Sequence, residues 1–117
     1  MESQKELALV TGSSGLIGAA LIRQIADRHR VVGFDRTGDP HPPKEAECVC
    51  VDVTSEDSIR DGLARVRYAH GEHIASVIHL AAYYDFSGEP SPMYDEVTVR
   101  GTERLLRHLR GFRVEQF

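Results

Sequence analysis

The sequence has little of several features that mark particular classes of protein. Its 117 residues contain no tryptophan and only two cysteines, and 14 basic residues stand against 18 acidic ones, for a net charge of −4. Without a basic surplus the chain is poorly suited to nucleic acid, because phosphate backbones attract positive surfaces. Its apolar runs fall far short of the ~20 residues of a membrane span, and residues 1–6 are too polar for a secretion signal. We therefore expect a soluble, cytoplasmic protein with neither nucleic acid nor a membrane as partner.

The two cysteines do not indicate a disulfide framework. Cys48 and Cys50 are two residues apart, so in an extended strand they project to the same face, which does not favour a bond between them. We interpret both as small, buried strand residues.

Hydrophobic periodicity predicts strands alternating with helices in one globular domain, for which 41% apolar and 27% charged residues are typical. The predicted strands are 6–11, 29–35, 47–53 and 75–80, with another apolar alternation starting at residue 112. The predicted helices are 16–28, whose apolar face begins with Leu16 and Ile17, one opened by a capping box of Thr54 and Asp57, and 93–109. Loops at 36–46 and 83–92 separate them. This order is typical of an α/β fold with a Rossmann-like, doubly wound parallel sheet of order 3-2-1-4, any fifth strand lying beside strand 4.

A glycine-rich turn follows the first predicted strand. Gly12, Gly15 and Gly18 stand three residues apart, where the strand passes into the first helix. A backbone that turns this sharply while a pyrophosphate approaches it has no room for a Cβ at some positions. The free amides of the helix N-terminus then meet the negative charge. A tight turn without a ligand is the alternative, and the position between a strand and a helix favours a dinucleotide.

Asp35 ends the second predicted strand, about twenty residues beyond the glycines, where a carboxylate can accept hydrogen bonds from the ribose hydroxyls of an adenosine. The same carboxylate would repel a 2′-phosphate, which favours NAD over NADP. Arg36 acts in the opposite sense, because a guanidinium beside the ribose suits a 2′-phosphate. On balance we predict NAD, with an ordinary aspartate at a strand end as the alternative for Asp35.

Asp52 ends the third predicted strand, and Ala81 and Ala82 follow the fourth, so these residues face the same crevice. The small alanines would let a ligand lie against the backbone, and Asp52 could accept a hydrogen bond from an adenine amino group. A favourable negative charge before the following helix is the alternative for Asp52.

Three histidines are candidates for a catalytic or metal-binding role. His79 lies within an apolar strand, and we interpret it as a hydrogen-bonded core histidine rather than a catalytic one. His70 and His73, at a helix end without nearby cysteine or carboxylate ligands, make a very weak case for a metal site.

Five motifs in order resemble the N-terminal half of an extended short-chain dehydrogenase/reductase of the NAD-dependent epimerase/dehydratase family. They are the glycine turn from Thr11, Asp35, Asp52-Val53, His79-Leu80-Ala81-Ala82 and the helix with Val97, Val99, Gly101, Thr102, Leu105 and Leu106. The resemblance implies that the pyrophosphate is bound by Gly12, Ser14, Gly15, Leu16, Ile17 and Gly18. It implies that Asp35 and Arg36 lie at the adenosine ribose, Asp52 and Val53 at the adenine, and Leu80, Ala81 and Ala82 near the nicotinamide ribose.

The chain departs from this family in two respects. Thr98 stands where the family's helix usually has asparagine. The family's Tyr-x-x-x-Lys pair, which with a serine or threonine performs the proton and hydride chemistry, is missing: lysine occurs only at Lys5 and Lys44, neither four residues after a tyrosine. We therefore expect residues 1–117 to be an NAD(P)-binding Rossmann domain, an N-terminal fragment of a larger enzyme that is inactive alone and holds no catalytic or metal-binding residues.

The resemblance implies that the parent protein is an NAD-dependent epimerase, dehydratase or related oxidoreductase acting on a nucleotide-sugar or similar hydroxyl or carbonyl substrate. Tyr83, Tyr84, Asp85 and Phe86 would flank that substrate, or else pack against the rest of the protein. A non-catalytic NAD(P) sensor or scaffold is the alternative function, and a domain without any ligand is the third. The open sheet of a fragment also predicts self-association, a homodimer included.

Overall fold

One five-stranded sheet organises the chain, seen in a computed structural model that describes residues 5–36, 43–84 and 86–117. The strands are β1 (Glu6–Thr11), β2 (His29–Asp35), β3 (Glu47–Cys50), β4 (His73–His79) and β5 (Arg113–Gln116). All pair in parallel, in the order β3-β2-β1-β4-β5. The predicted order and the fifth strand beside the fourth are confirmed.

β1 lies at the centre of the sheet. Leu9 aligns with Val32 of β2 on one side and with Val77 of β4 on the other. Residues 7–11 are all buried, as expected for a short apolar strand with neighbours on both edges and helices on both faces. The carboxyl ends of β1 and β4 therefore open on the crevice where the strand order reverses.

Three helices cover the sheet: α1 (Leu16–Ile25), α2 (Glu56–His70) and α3 (Arg100–His108). α2 and α3 supply Ile59, Leu63 and Leu105 to the larger hydrophobic cluster. α1 supplies Ile22 to a second cluster with Val10 of β1. The two clusters lie on opposite faces of the sheet, which confirms the doubly wound arrangement.

α1 begins at Leu16 as predicted but differs from its prediction in its end and in the burial of its first turn. It ends at Ile25 rather than at residue 28, in a turn closed by the bond from Arg28 N to the Ile25 carbonyl. Leu16 and Ile17 were expected on its apolar face but are 91% and 70% exposed. The first turn of α1 extends past the carboxyl end of β1, so its side chains have no sheet beneath them, and only Gly18 and Ile22 of this helix are buried.

The region between β3 and α2 also corrects the sequence analysis. β3 ends at Cys50, three residues before the predicted end. The N-cap of α2 is Ser55, whose hydroxyl accepts a hydrogen bond from the Ser58 amide, so the predicted capping box at Thr54 is wrong. Thr54 is instead held by the carboxylate of Asp52.

The expectation of two buried cysteines is wrong. Cys48 and Cys50 are both exposed free thiols. β3 is an edge strand of the sheet, and it turns Val49 rather than the cysteines towards the core.

The last predicted helix begins as a π-helical turn. Residues Tyr94–Val99 form wider turns, α3 follows directly, and a 3₁₀ turn at Leu109–Gly111 leads into β5. Arg104 donates to the carbonyl oxygens of Glu96 and Val53, at 3.3 and 3.2 Å. The Glu96 carbonyl, which lies in the π-helical turn, thus accepts a hydrogen bond from a side chain. Apolar spacing cannot distinguish this segment from an α-helix.

Candidate functional site at the carboxyl ends of β1 and β4

The glycine turn joins the end of β1 to α1, and two of its glycines are required by the fold. Gly12 has φ +71°, which favours glycine, and a Cβ there would lie 3.1 Å from Ala81 N. A Cβ at Gly18 would lie 2.2 Å from the carbonyl oxygen of Gly12. The turn is closed by the bond from Gly15 N to that same oxygen, at 3.1 Å. These positions would be glycine with or without a ligand.

Gly15 is different, because little in the fold requires it to be glycine. Its φ of −71° is open to any residue. Apart from its neighbours in the chain, the only described atom within 4 Å of an added Cβ is the Gly12 oxygen, at 3.3 Å, a tight but tolerable contact. Beyond it the surface is open. This open space beside Gly15, called the cradle below, would be filled by a side chain. A pyrophosphate that approaches the backbone closely needs such a space.

The N-terminus of α1 is suited to an anion. Gly15 is its N-cap and offers no side chain, and the first turn contains no acidic residue. α2 has the opposite character, with the Ser55 cap and two carboxylates in its first turn, Glu56 and Asp57. The first backbone N–H groups of α1 thus remain available, and the helix dipole adds partial positive charge.

Asp35 is fixed beside the glycine turn. Its Oδ2 accepts a hydrogen bond from Ser14 N and its Oδ1 one from Arg36 N, both at 2.8 Å. Each carboxylate oxygen retains a second lone pair, able to accept a hydroxyl proton. The structure therefore brings Asp35 and the glycine turn together, although they are distant in sequence, while the Arg36 side chain is exposed.

Asp52 and Val53 lie farther along the same crevice. The Asp52 Oδ1 accepts bonds from Thr54 Oγ1 at 2.7 Å and Thr54 N at 2.9 Å. These bonds lower the pKa of the exposed Asp52 carboxyl, the hydroxyl contributing most. Val53 is buried, and its Cγ2 is 2.9 Å from a Cβ added to Gly101. Only the Val53 backbone can therefore meet a ligand.

The segment after β4 is held against the glycine turn. Leu80 N and Ala81 N both donate to Thr11 Oγ1, at 3.0 and 3.1 Å. Ala82 continues it and is exposed. Thr11, at the end of β1, is a residue that the sequence analysis did not include in the site. A hydroxyl at the last position of an otherwise apolar strand was the signal for it.

His79 has a partner at each ring nitrogen. Nδ1 is 2.6 Å from Thr11 Oγ1 and Nε2 is 2.8 Å from Thr102 Oγ1. Burial lowers the pKa of the imidazole, because a charged ring is poorly solvated there. The expectation that His79 is hydrogen-bonded is confirmed, although the residue is half-buried at the end of β4 rather than in the core.

Thr98, the departure from the family's asparagine, also contacts the backbone. Its Oγ1 accepts a hydrogen bond from Tyr83 N at 3.0 Å, and its carbonyl accepts one from Thr102 Oγ1 at 2.6 Å. The Thr98 hydroxyl thus holds the start of the loop at residues 83–92, called the aromatic loop below.

The family model for the NAD dependent epimerase/dehydratase family matches residues 8–117, almost the entire chain. The chain belongs to the NAD-dependent epimerase/dehydratase family. A 3-beta-hydroxysteroid dehydrogenase of Mycolicibacterium neoaurum is 31% identical over 112 residues, which are 93% of this chain and 30% of that protein. The chain thus spans about a third of its curated relative.

Solved structures give the same fold. Aldohexose dehydrogenase of Thermoplasma acidophilum superposes with a TM-score of 0.76 at 16% identity, over 93% of this chain and 44% of that one. A Y136A mutant of uronate dehydrogenase from Agrobacterium tumefaciens, complexed with NAD, gives 0.67 at 22% identity, over 93% and 38%. Membership of the family supports a nicotinamide dinucleotide as the cofactor.

Two features of this family member lie outside the glycine turn. In the aromatic loop, Tyr83 packs edge-on against Tyr94 at 4.8 Å, and Tyr84 against Phe86 at 4.6 Å, between ring centroids. Tyr84 and Phe86 are 74% and 91% exposed. Asp85, also predicted to flank a substrate, lies outside the described residues.

His70 and His73, the two weak metal-ligand candidates, each pair with one carboxylate. His70 Nε2 is 2.8 Å from Glu47, and His73 Nε2 is 2.8 Å from Glu115. Across residues 5–36, 43–84 and 86–117 no group of three or more metal-ligating side chains is found. Within the same ranges no helix has the length and apolar character to cross a bilayer.

Proposed function

We propose that this chain is the NAD-binding domain of an oxidoreductase of the NAD-dependent epimerase/dehydratase family. The observation that carries the proposal is Gly15, where the fold tolerates a side chain but the surface beside the uncapped N-terminus of α1 is left open. The 30% share of the bacterial relative's length supports a domain of a larger protein.

In this proposal each part of the crevice binds one part of the dinucleotide. Gly12, Ser14, Gly15, Leu16, Ile17 and Gly18 form the pyrophosphate site. Asp35 accepts the hydroxyls of the adenosine ribose, Asp52 and the Val53 backbone lie at the adenine, and residues 80–82 lie along the nicotinamide ribose. The nicotinamide supplies hydride exchange with a carbinol or carbonyl. This chain's own residues bind and orient it.

We favour NAD over NADP. Both oxygens of Asp35 are held by backbone amides at 2.8 Å, so the carboxylate cannot swing away from a 2′-phosphate without losing those bonds. Arg36 has an exposed side chain, free to reach a phosphate, but the fixed negative charge lies closer to the turn.

Binding is tested by calorimetric titration of the protein with NAD. We expect Gly15→Val to abolish binding while its circular dichroism stays native, because the side chain fills the cradle. Ala20→Val, on an exposed position of the same helix, is the matched control and should bind like wild type. Undiminished affinity of Gly15→Val would place the nucleotide elsewhere.

The choice of cofactor is tested by comparing NAD and NADP affinities before and after Asp35→Ala. The wild type should prefer NAD, and the variant should lose that preference, since the repelling charge is gone. Asp27→Ala, an exposed aspartate after α1, is the control for loss of a charge. A wild type that binds NADP more tightly would contradict the assignment of Asp35.

The substrate is proposed to be a compound with a hydroxyl or carbonyl group, and two classes are to be compared. A nucleotide-sugar is the class that the sequence resemblance implies. A 3β-hydroxysteroid is favoured by the exposed rings of Tyr84 and Phe86, which offer apolar surface beyond the nicotinamide end, and it is what the bacterial relative is named for. Absorbance of NADH detects net oxidation of the steroid by the full-length protein. Epimerisation or dehydration of a nucleotide-sugar returns the hydride to the sugar and leaves no net NADH, so it is detected by chromatography of the sugar products. The class of compound that is converted is the substrate.

A non-catalytic NAD(P) sensor or scaffold remains the second candidate. It rests on the absence of a Tyr-x-x-x-Lys pair from this chain. A full-length protein that binds NAD, yet converts neither substrate class and carries no such pair, would favour the sensor. Conversion of either class of compound would exclude it.

We further propose a cytoplasmic location and a homodimer. The two free thiols suit a reducing compartment, and in residues 1–117 the outer edge of β5 carries no strand among the described residues, so two copies can pair there. Fluorescent tagging of the full-length protein tests the location, and sedimentation of residues 1–117 tests the dimer.

A further inference from the structure

We propose that His79 is a positioning residue for the dinucleotide: as a neutral ring protonated at Nε2, it links Thr11 to Thr102 and so clamps residues 80–83 against the glycine turn. The inference rests on the proposed function for its ligand. Which ring nitrogen of His79 carries the proton follows from the hydrogen bonds of the two threonines, and it does not depend on the ligand.

The bond on the α3 side determines which nitrogen carries the proton. Thr102 Oγ1 lies 2.6 Å from the carbonyl oxygen of Thr98, which can only accept, so the single hydroxyl proton of Thr102 points there. Towards His79 Nε2, 2.8 Å away, Thr102 can then only accept. Nε2 must therefore be protonated.

The bond on the β1 side agrees with this order. Thr11 Oγ1 accepts from Ala81 N at 3.1 Å and from Leu80 N at 3.0 Å, and Leu80 N shares its proton with the Thr11 carbonyl oxygen at 3.2 Å. These two donors face both lone pairs of the hydroxyl. Its own proton is left to donate to His79 Nδ1, 2.6 Å away, which must be the unprotonated nitrogen. A second proton on the ring would place two hydrogens between Nδ1 and Thr11 Oγ1, so the network accommodates only the neutral imidazole.

The segment that this network holds is the wall beside the glycine turn. Leu80 and Ala81 are bonded to Thr11, and Tyr83 is bonded to Thr98 Oγ1, so three amides of residues 80–83 end on threonine hydroxyls. The same segment touches the turn, since a Cβ on Gly12 would lie 3.1 Å from Ala81 N. The His79 ring connects Thr11 of β1 to Thr102 of α3. Each of its two hydrogen bonds can be formed in one direction only: Thr11 donates to Nδ1, and Nε2 donates to Thr102.

Dinucleotide affinity of His79 variants is the first test. His79→Phe keeps a ring but removes both bonds, and we expect NAD to bind roughly tenfold more weakly, as for the loss of one or two buried hydrogen bonds. His79→Asn can still accept from Thr11 and should retain more affinity than the phenylalanine variant. His73→Phe, at the exposed start of the same strand, is the matched control and should bind like wild type.

The link to α3 is tested at Thr102. Thr102→Val removes the acceptor for Nε2 and should weaken NAD binding roughly threefold, whereas Thr102→Ser keeps the hydroxyl and should restore it. Combined with His79→Phe, the valine change should add nothing, because the shared bond is already lost. Unchanged affinity in both His79→Phe and Thr102→Val, with native melting curves, would overturn the positioning role.

The tautomer is measured without a ligand. Nitrogen NMR of the imidazole at neutral pH should show a single neutral form protonated at Nε2. A ring protonated at Nδ1, or a charged ring, would overturn the proton order even if NAD binds. A wild type with the expected tautomer that binds no NAD would instead refute the proposed function, so the two failures are distinguishable, and the NMR result stands even if His79→Phe does not fold.

Discussion

Two alanine substitutions in the glycine turn, Gly18→Ala and Gly15→Ala, test which glycine is required by the fold and which by the ligand. In Gly18→Ala the new Cβ would lie 2.2 Å from the Gly12 carbonyl oxygen, a backbone atom that cannot move without moving the turn. In Gly15→Ala the same oxygen is 3.3 Å away, and the backbone conformation, with φ −71°, already suits alanine. We expect the first variant to lose stability and the second to lose cofactor binding.

The two effects can be sized. Overpacking costs about 1–3 kcal/mol, and a rigid backbone oxygen puts Gly18→Ala in the upper half of that range. Alanine returns about 1 kcal/mol as the better helix former, which leaves a net loss of about 1–2 kcal/mol, or roughly 4–8 °C in melting temperature for a chain of this size. For Gly15→Ala, a poorer N-cap costs about 0.5–1 kcal/mol, and the stiffer unfolded chain returns about the same. Its melting temperature should stay close to that of wild type.

The assay is thermal melting followed by circular dichroism, with and without NAD. At a concentration of about 100 times the dissociation constant, a ligand stabilises the folded state by about 2.7 kcal/mol, so the wild type should gain roughly 10 °C. Gly15→Ala should melt like wild type alone and gain less than about a third of that shift. A full shift in Gly15→Ala, or a normal melting temperature in Gly18→Ala, would refute the division of roles between the two glycines.

Three other predictions concern packing, pH and thiol chemistry. Leu105→Ala should lower the free energy of unfolding by about 2–5 kcal/mol, because Leu105 is 0% exposed in the core between α3 and the sheet; denaturant titration checks this. Hydrogen bonds from His108 and then Arg107 hold the pKa of Glu56 below its ordinary 4.5, so its contribution to stability is present above pH 4.5 and is lost as the pH falls through the lowered value. Glu56→Gln should therefore be less stable than wild type at neutral pH and equal to it in strong acid, as chemical unfolding at several pH values would show; a constant difference would be inconsistent with this linkage. Although Cys48 is exposed as a residue, partial burial of its sulfur raises the pKa of the thiol. Iodoacetamide should therefore alkylate it more slowly at neutral pH than it alkylates free cysteine, a difference that mass spectrometry would detect.

The central strands and their order could be predicted because their signals are local. β1 and β2 match their predicted ranges, since each is an apolar run bounded by a glycine or a charged residue. Boundaries at the edge of the sheet were less predictable. Thr54 and Ser55 are both good N-caps, and only the competing bonds from Thr54 to Asp52 leave the cap to Ser55. Likewise, the exposure of Cys48 follows from β3 lying at an edge.

Sequence alone determined the Rossmann-like order, the glycine turn and the carboxylate of Asp35 at a strand end, because each depends on residue types at short spacing. Tertiary structure decided what these residues touch. The bond from Ser14 to Asp35 joins residues 21 apart, and the bond from Thr11 to His79 joins residues 68 apart. Such contacts arise only when parallel strands bring their carboxyl ends together, and no local pattern encodes them. The glycine turn is visible in the sequence, but the wall that Thr11, His79 and Thr102 hold against it exists only in the folded chain.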